Sequence, residues 1–282
     1  MKKSTKGILD SILYAIVFVL IQLFVQLAVA LIYNQFENVG YANVVNGMAS
    51  GIYGEALAIS TVLSSALTIL VFMHLKWFPF SLTYLKTRPW AVIIWTVLLS
   101  FGLILPSEWI MEKLQLTMDP TYTKIFESVM KEPWGFIAIG VLAPLAEEVV
   151  FRGAILNALL KIFPKKYYWV SILVSALMFG AIHGNLVQFV FAFSVGILLG
   201  WMYYRTNSIV PGVVLHWINN SVAYIMFNLM PQMQDGKLID LFHGSEKMMM
   251  EGLLFSLCIF IPSLFQLATR MKSADQQQSL IR

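Results

Sequence analysis

The chain alternates long apolar runs with short polar segments. A helix of about 20 apolar residues crosses the roughly 30 Å hydrocarbon core of a bilayer, and runs near that length recur along this sequence. The eight runs are 8–33, 52–75, 90–110, 134–163, 167–183, 186–204, 209–230 and 252–271. The pattern predicts an all-α, polytopic membrane protein with about eight transmembrane helices.

The placement of basic residues tests this count independently. Thirteen lysine and arginine residues fall at the two ends of the chain and in every second loop, whereas five fall on the opposite side. The thirteen are Lys2, Lys3, Lys6, Lys76, Lys86, Arg88, Lys161, Lys165, Lys166, Arg205, Arg270, Lys272 and Arg282. The positive-inside rule therefore predicts that both termini are cytoplasmic. The longer outer loops, 111–133 and 231–251, are predicted to form short helices along the membrane surface.

Composition agrees with a membrane protein. The 282 residues are 59% hydrophobic and only 12% charged, and soluble domains carry about twice that charged fraction. The lipid bilayer is therefore the expected surroundings, and no nucleic-acid partner is expected. The chain divides into three spans with an outer loop (1–133), four spans that carry the candidate site (134–230), and an outer loop, a final span and a cytoplasmic tail (231–282).

Three ionisable residues lie near the middle of the fourth run. Each charge at the centre of a bilayer costs about 2.5–3.5 kcal/mol on insertion scales, so an ionisable residue there indicates function. Glu148 and Arg152 are four residues apart and can form an ion pair on one helix face. Glu147 is rotated by about 100° from Glu148. It is predicted to point elsewhere and to remain free for chemistry.

Two further spans carry polar groups that are unusual inside a membrane. His183 ends the fifth run, one turn after Phe179, and His216 shares a face of the seventh run with Asn220. Either span alone fits an ordinary packing role, because hydrogen bonds between membrane helices are common. Together with the fourth run they predict one buried polar site among the fourth, fifth and seventh helices.

The residue types permit more than one chemistry. Glu147 can take a proton from a water that one histidine holds, while the other histidine and Asn220 stabilise an oxyanion. Zinc bound by Glu147, His183 and His216 is an alternative, although the helical zinc motif His-Glu-x-x-His is absent. A proton-coupled transporter could use the same groups as a relay, but no inverted repeat is visible.

Helix geometry places these groups at unequal depths. At about 1.5 Å per residue from the inner ends of the runs, Glu147 and His183 lie about 24 Å deep, and His216 lies only about 11 Å deep. The run boundaries as drawn therefore do not give a level site, and the order of the polar motifs is preferred over these boundaries.

The order of the polar residues resembles a known family. The motifs Glu147-Glu148-x-x-x-Arg152, Phe179-x-x-x-His183 and His216-x-x-x-Asn220 are similar to those of the type II CAAX prenyl proteases. These are also called the CPBP or Abi membrane proteases, and they include bacteriocin-immunity and lysostaphin-resistance relatives. The resemblance covers residues 134–230, which it implies are the catalytic core.

The resemblance implies an α-helical intramembrane endopeptidase with a glutamate-activated water. By motif, Glu147 would be the general base, His183 would position the water, and His216 and Asn220 would stabilise the oxyanion. Glu148 and Arg152 would support the site.

Further expectations follow from the same resemblance. The substrate would be a membrane-associated or lipid-proximal peptide or protein, and the location would be a bacterial cell membrane. No cofactor is favoured, with zinc as the alternative. A non-catalytic scaffold or bacteriocin-immunity factor that keeps the motifs is the competing function, and a proton-coupled transporter is a weaker one.

Overall fold

The fold is built from helices, as the apolar runs predict. The computed structural model describes residues 3–230, 237–273 and 276, and within these residues there is no strand, which confirms the all-α class. The longer helical segments are α1 (Lys3–Glu37), α2 (Tyr41–Ala49), α3 (Gly54–His74), α4 (Thr83–Lys86), α5 (Trp90–Leu114), α6 (Pro120–Met130), π1 (Phe136–Leu142), α7 (Ala143–Glu147), π2 (Glu148–Leu156), α8 (Asn157–Ile162), α9 (Tyr168–Ala181), α10 (Leu186–Thr206), α11 (Val210–Leu229) and α12 (Glu246–Arg270).

Five of the described helices are long and apolar enough to cross a membrane. They are Thr5–Glu37, Gly54–His74, Trp90–Leu114, Leu186–Thr206 and Glu246–Arg270. They coincide with the first, second, third, sixth and eighth predicted runs, so the multi-pass membrane class is confirmed. The count of eight spans stays a prediction.

The other three predicted runs are helical as well, and they are the ones that carry the polar motifs. In the fourth run π1, α7, π2 and α8 follow one another without a break, and together they are called the composite helix, residues 136–162. Helix α9 has 14 residues and is about 21 Å long, too short for a hydrocarbon core of about 30 Å. The centre of the composite helix is covered by its neighbours, since all nine residues of π2 are buried.

Apolar side chains cover the outside of the bundle. Phe24 and Ile32 on α1, and Phe255 and Phe265 on α12, are all more than half exposed. In a soluble protein such surfaces would mark an interface, but on spans of this length they are the surface that lipid tails contact. Inside, an aromatic cluster around Phe151 connects α1, α3 and α9 to the composite helix.

Small residues let the helices approach closely. Helix α12 packs along α5, and a Cβ atom placed on Gly102 would lie 2.7 Å from the backbone nitrogen of Phe260. On α10, the Cα of Gly196 faces Ala176 of α9, and Gly200 faces Ile172 one turn further. Close approach of this kind supplies the dispersion contacts that hold helices together in lipid.

The loops match the predictions in part. Helix α6 occupies the outer loop 111–133, where a short helix was predicted, whereas α2 in the loop before α3 was not predicted. The second outer loop contains a 3₁₀ helix, Leu238–Phe242, and its residues 231–236 lie outside the described residues. Of the predicted cytoplasmic tail, only residues 272, 273 and 276 are described.

Replacing Gly102 by Ala should destabilise the α5–α12 pair although alanine is the better helix former. The new methyl group would press on the backbone of Phe260, which cannot move without shifting α12. We expect a loss of about 1–3 kcal/mol, measured as a lower thermal unfolding midpoint in detergent. Ala91→Val, at an exposed position of the same helix, is the control and should leave the midpoint nearly unchanged. Equal midpoints for Gly102→Ala and the native protein would contradict this packing.

Candidate active site

A buried ion pair lies at the centre of the site. Arg152 and Glu148 are 1% and 0% exposed, and Arg152 Nη1 donates a hydrogen bond to Glu148 Oε1 at 2.8 Å. The second guanidinium nitrogen, Nη2, donates to the carbonyl oxygen of Gly196 on α10 at 3.3 Å. The pair predicted from the four-residue spacing is therefore present, and it also connects the composite helix to α10.

His216 lies between the two glutamates of the motif. Its Nδ1 is 3.2 Å from Glu148 Oε1, and its Nε2 is 3.5 Å from Glu147 Oε2. Because an ionised carboxylate only accepts hydrogen bonds, the contact with Glu148 places a hydrogen on Nδ1. The Nε2 atom then faces Glu147. A single proton, bound either to Nε2 or to the Glu147 carboxyl group, would bridge these two atoms.

The two neighbouring carboxylates are not equivalent. The side chain of Glu147 is 16% exposed, whereas that of Glu148 is fully buried and bound to Arg152. This difference agrees with the predicted division between a structural and a free carboxylate. However, the expectation that Glu147 points away from Glu148 is only partly right, because both side chains reach opposite nitrogens of the same imidazole.

His183 is held by its own helix. Its Nδ1 lies 2.9 Å from the carbonyl oxygen of Phe179, and because a carbonyl only accepts, Nδ1 carries the hydrogen. In the neutral ring, Nε2 is then an acceptor. Within the described residues no hydrogen bond or ion pair joins His183 to Glu147, and the imidazole of His183 contacts Phe179 of α9.

Phe179 connects the separate parts of the site. Its ring meets the rings of His183 and His216 edge to face, at centroid distances of 5.2 and 5.7 Å. The guanidinium of Arg152 lies over the same ring at 4.4 Å from its centroid, which is a cation–π contact. The sequence indicated Phe179 only by its spacing from His183, and its central position could not be predicted without the positions of three helices.

Asn220 faces the composite helix, as its spacing from His216 predicts. Its Nδ2 donates to the carbonyl oxygen of Ile139 in π1 at 3.1 Å. This bond uses one of the two amide hydrogens, and the other remains for a further acceptor.

The unequal depths expected from the run boundaries are wrong. Helix α11 begins inside the protein, since Pro211 and Gly212 in its first turn are buried. A Cβ atom on Gly212 would lie 2.7 Å from Glu148 Oε2, so the start of α11 is level with the ion pair. His216, one turn further, therefore reaches both glutamates. Gly212 is a site residue that the sequence analysis missed, and only the Pro-Gly pair at the helix start indicated it.

The proposed zinc ligands do not converge. Within the described residues, no group of three or more His, Cys, Asp or Glu side chains is arranged to hold a metal ion. His216 directs its two nitrogens toward different carboxylates, and His183 makes its hydrogen bond to Phe179. A zinc site needs its donors directed at one point, and these residues do not fit that requirement.

Comparison with known proteins agrees with the motif pattern. Residues 129–222 match the family described as Type II CAAX prenyl endopeptidase Rce1-like, which covers all six predicted site residues. The family resemblance predicted from the three motifs is therefore confirmed, and at the level of that family the chain is similar to membrane proteases.

Two relatives match a similar share of the chain. The protein named "Putative membrane peptidase YdiL" of Bacillus subtilis (strain 168) is 26% identical over 102 residues, which is 36% of this chain and 41% of the relative. An "Uncharacterized 24.3 kDa protein" of Escherichia coli is 32% identical over 111 residues, or 36% of this chain and 49% of the relative. The chain thus spans less than half the length of these curated relatives. No solved structure gives a significant match.

Breaking the buried ion pair should destabilise the whole protein. Arg152→Ala leaves Glu148 as an uncompensated buried charge, and Glu148→Gln leaves the guanidinium without its counter-ion. We expect either change to lower stability by about 3–5 kcal/mol and to reduce the yield of monodisperse protein in detergent.

The exposed ion pair between Lys131 and Glu127 is a matched control. It has the same four-residue spacing and an N–O distance of 3.0 Å, but its lysine side chain is 60% exposed. Lys131→Ala should therefore lower the free energy of unfolding by no more than about 1 kcal/mol, which is a small shift of the unfolding midpoint. If Arg152→Ala were as harmless as Lys131→Ala, the supporting role of the buried pair would be wrong.

Proposed function

We propose that this protein is an intramembrane endopeptidase that hydrolyses a peptide bond with a water molecule activated by Glu147. The observation that carries the proposal is the position of His216 between a buried, Arg152-bound Glu148 and the more accessible Glu147. A base, a partner for its proton and a fixed counter-charge thus occupy one buried region. The match of residues 129–222 to a protease family supports the same reaction.

In this mechanism Glu147 removes a proton from water as the water oxygen attacks the peptide carbonyl carbon. The carbonyl π bond opens and its oxygen becomes an oxyanion. His216 Nε2, 3.5 Å from Glu147, is placed to share the proton, while Nδ1 remains anchored on Glu148. When the carbon–nitrogen bond breaks, the leaving amine takes this proton, and the carboxyl product forms.

Two more residues complete the proposed mechanism. The acceptor Nε2 of His183 can orient the attacking water, because Nδ1 is held by Phe179. The second amide hydrogen of Asn220 can donate to the oxyanion. We propose Asn220 for this role in preference to His216, since both nitrogens of His216 face glutamates. This assignment refines the role that the family resemblance implied for His216.

The expected substrate is a peptide segment that reaches the site from the membrane or its surface. The lipid-facing helices and the burial of the motifs support such a substrate rather than a freely diffusing peptide. A bacterial cell membrane with both termini in the cytoplasm is the proposed location. It rests on the distribution of basic residues and on the bacterial sources of the two relatives.

Replacing Glu147 by Gln should abolish proteolysis while leaving the fold intact. The amide keeps the size of the side chain but cannot accept a proton from water, so we expect a loss of at least about 100-fold in rate. The measurement compares the membrane peptidomes of cells that express the native protein or Glu147→Gln at equal levels. Peptides present only with the native protein would identify the substrate.

Glu251→Gln is the control for this experiment. Glu251 is an exposed residue at the start of α12, and the same chemical change there should leave the peptidome unchanged. Cleavage of an identified substrate at the native rate by purified Glu147→Gln would show that Glu147 is not the base. Identical peptidomes for the native protein and Glu147→Gln would favour a non-catalytic scaffold.

Activity should survive removal of divalent metal ions. The donor set does not converge, so dialysis against a chelator is expected to leave the cleavage rate within about twofold of the starting value. The measurement combines elemental analysis of the purified protein with the rate before and after dialysis. One zinc per chain, lost together with activity and restored with it, would contradict the glutamate mechanism.

A further inference from the structure

An open cavity lies away from the candidate active site. It has a volume of about 280 Å³ and is lined by the start of α1, the segment that follows α3, and the end of the composite helix. Gly7 of α1 packs closely against Ile162 of α8, and both residues belong to the lining. The cavity does not include any residue of the three motifs.

Three lysines from three different parts of the chain surround this cavity. Lys6 belongs to α1, Lys76 follows α3, and Lys161 belongs to α8. Asp10 is the single acidic residue among the described residues of the lining, so their charged side chains sum to a positive charge. None of the three lysines forms an ion pair with any carboxylate of the described residues. The cavity therefore presents positive charge that the protein itself does not neutralise.

The rest of the lining fits a group that is polar at one end. Asn157, half-buried in the cavity wall, makes no side-chain hydrogen bond within the described part of the chain. Tyr14 and Trp77 form an aromatic wall, with their ring centroids 4.8 Å apart. Such rings are typical of the level where membrane and water meet.

An apolar surface adjoins the same end of α1. Ile8, Leu9, Ile12 and Leu13 are each 45–50% exposed on this helix. They alternate with the cavity-lining positions 6, 10 and 14, which recur every four residues on another face of the helix. A ligand with a negatively charged head and apolar tails would therefore find both surfaces next to each other.

We propose that this cavity binds the phosphate headgroup of an anionic phospholipid, with its acyl chains along α1. All three lysines belong to the basic set that predicts the cytoplasmic side, so the lipid would come from the inner leaflet. Basic pockets between membrane helices on that side bind anionic headgroups. The proposal does not depend on the protease mechanism.

The test measures lipid binding by native mass spectrometry of the purified full-length protein in detergent. The probe is short-chain phosphatidylglycerol, and short-chain phosphatidylcholine and inorganic phosphate are the comparison ligands. The variant Lys6→Gln/Lys76→Gln/Lys161→Gln should weaken phosphatidylglycerol binding by at least about tenfold. The control Lys86→Gln/Lys165→Gln/Lys166→Gln removes three lysines that lie on the same predicted side but outside the cavity lining, and it should change this binding by less than about twofold.

A single substitution should change phosphatidylglycerol binding in the opposite direction. Asp10→Asn removes the acidic side chain that the described lining contains and should tighten phosphatidylglycerol binding by about fivefold, which loss of folding could not produce. Equal losses in the two triple variants would overturn the proposal, since they would reflect general surface charge. Equally tight binding of phosphatidylcholine would overturn it too. If inorganic phosphate binds as tightly as phosphatidylglycerol and displaces it, the lipid assignment is wrong.

Discussion

Glu148 and Arg152 neutralise each other deep inside the helix bundle, and the candidate site is arranged around them. Arg152 also contacts the backbone of Gly196 and the ring of Phe179, so one guanidinium holds two neighbouring helices. Glu148 in turn anchors His216 of α11. An unpaired charge in this environment would cost several kcal/mol, and the pair thus constrains the composite helix, α9, α10 and α11 to meet at one place.

The adjacent carboxylates show how a small difference in surroundings separates two roles. Glu147 and Glu148 have the same chemistry and are consecutive in the chain, yet only Glu148 contacts a permanent positive charge. The ionisable partner of Glu147 is the imidazole of His216, whose charge depends on whether it carries one ring proton or two. The transition from α7 to π2 occurs between the two residues, so the backbone changes its hydrogen-bonding pattern where their side chains take different partners. Such π-helical segments are frequent at functional sites.

The sequence predicted most of the fold and the polar residues of the site, but not how they meet. Apolar runs located the helices because the requirement to cross lipid acts on each helix by itself. The motifs located Glu147, Glu148, His183 and His216 because ionisable groups are rare in such runs. The central position of Phe179 and the early start of α11 depend on contacts between helices. Counting residues along single helices therefore gave the wrong membrane depth for His216 relative to Glu147.

The composite helix has a consequence for how the protein is assembled in its membrane. On insertion scales each of its three central ionisable groups costs about 2.5–3.5 kcal/mol, so this segment alone would enter a bilayer poorly. Helix α9 is too short to span by itself, and α11 brings a histidine and several asparagines. The five apolar helices can each be inserted as they are synthesised. The site-bearing helices must instead enter as a group, after or together with partners that neutralise Arg152 and cover the motifs. Insertion of these helices into the membrane and assembly of the candidate site are thus coupled in this protein.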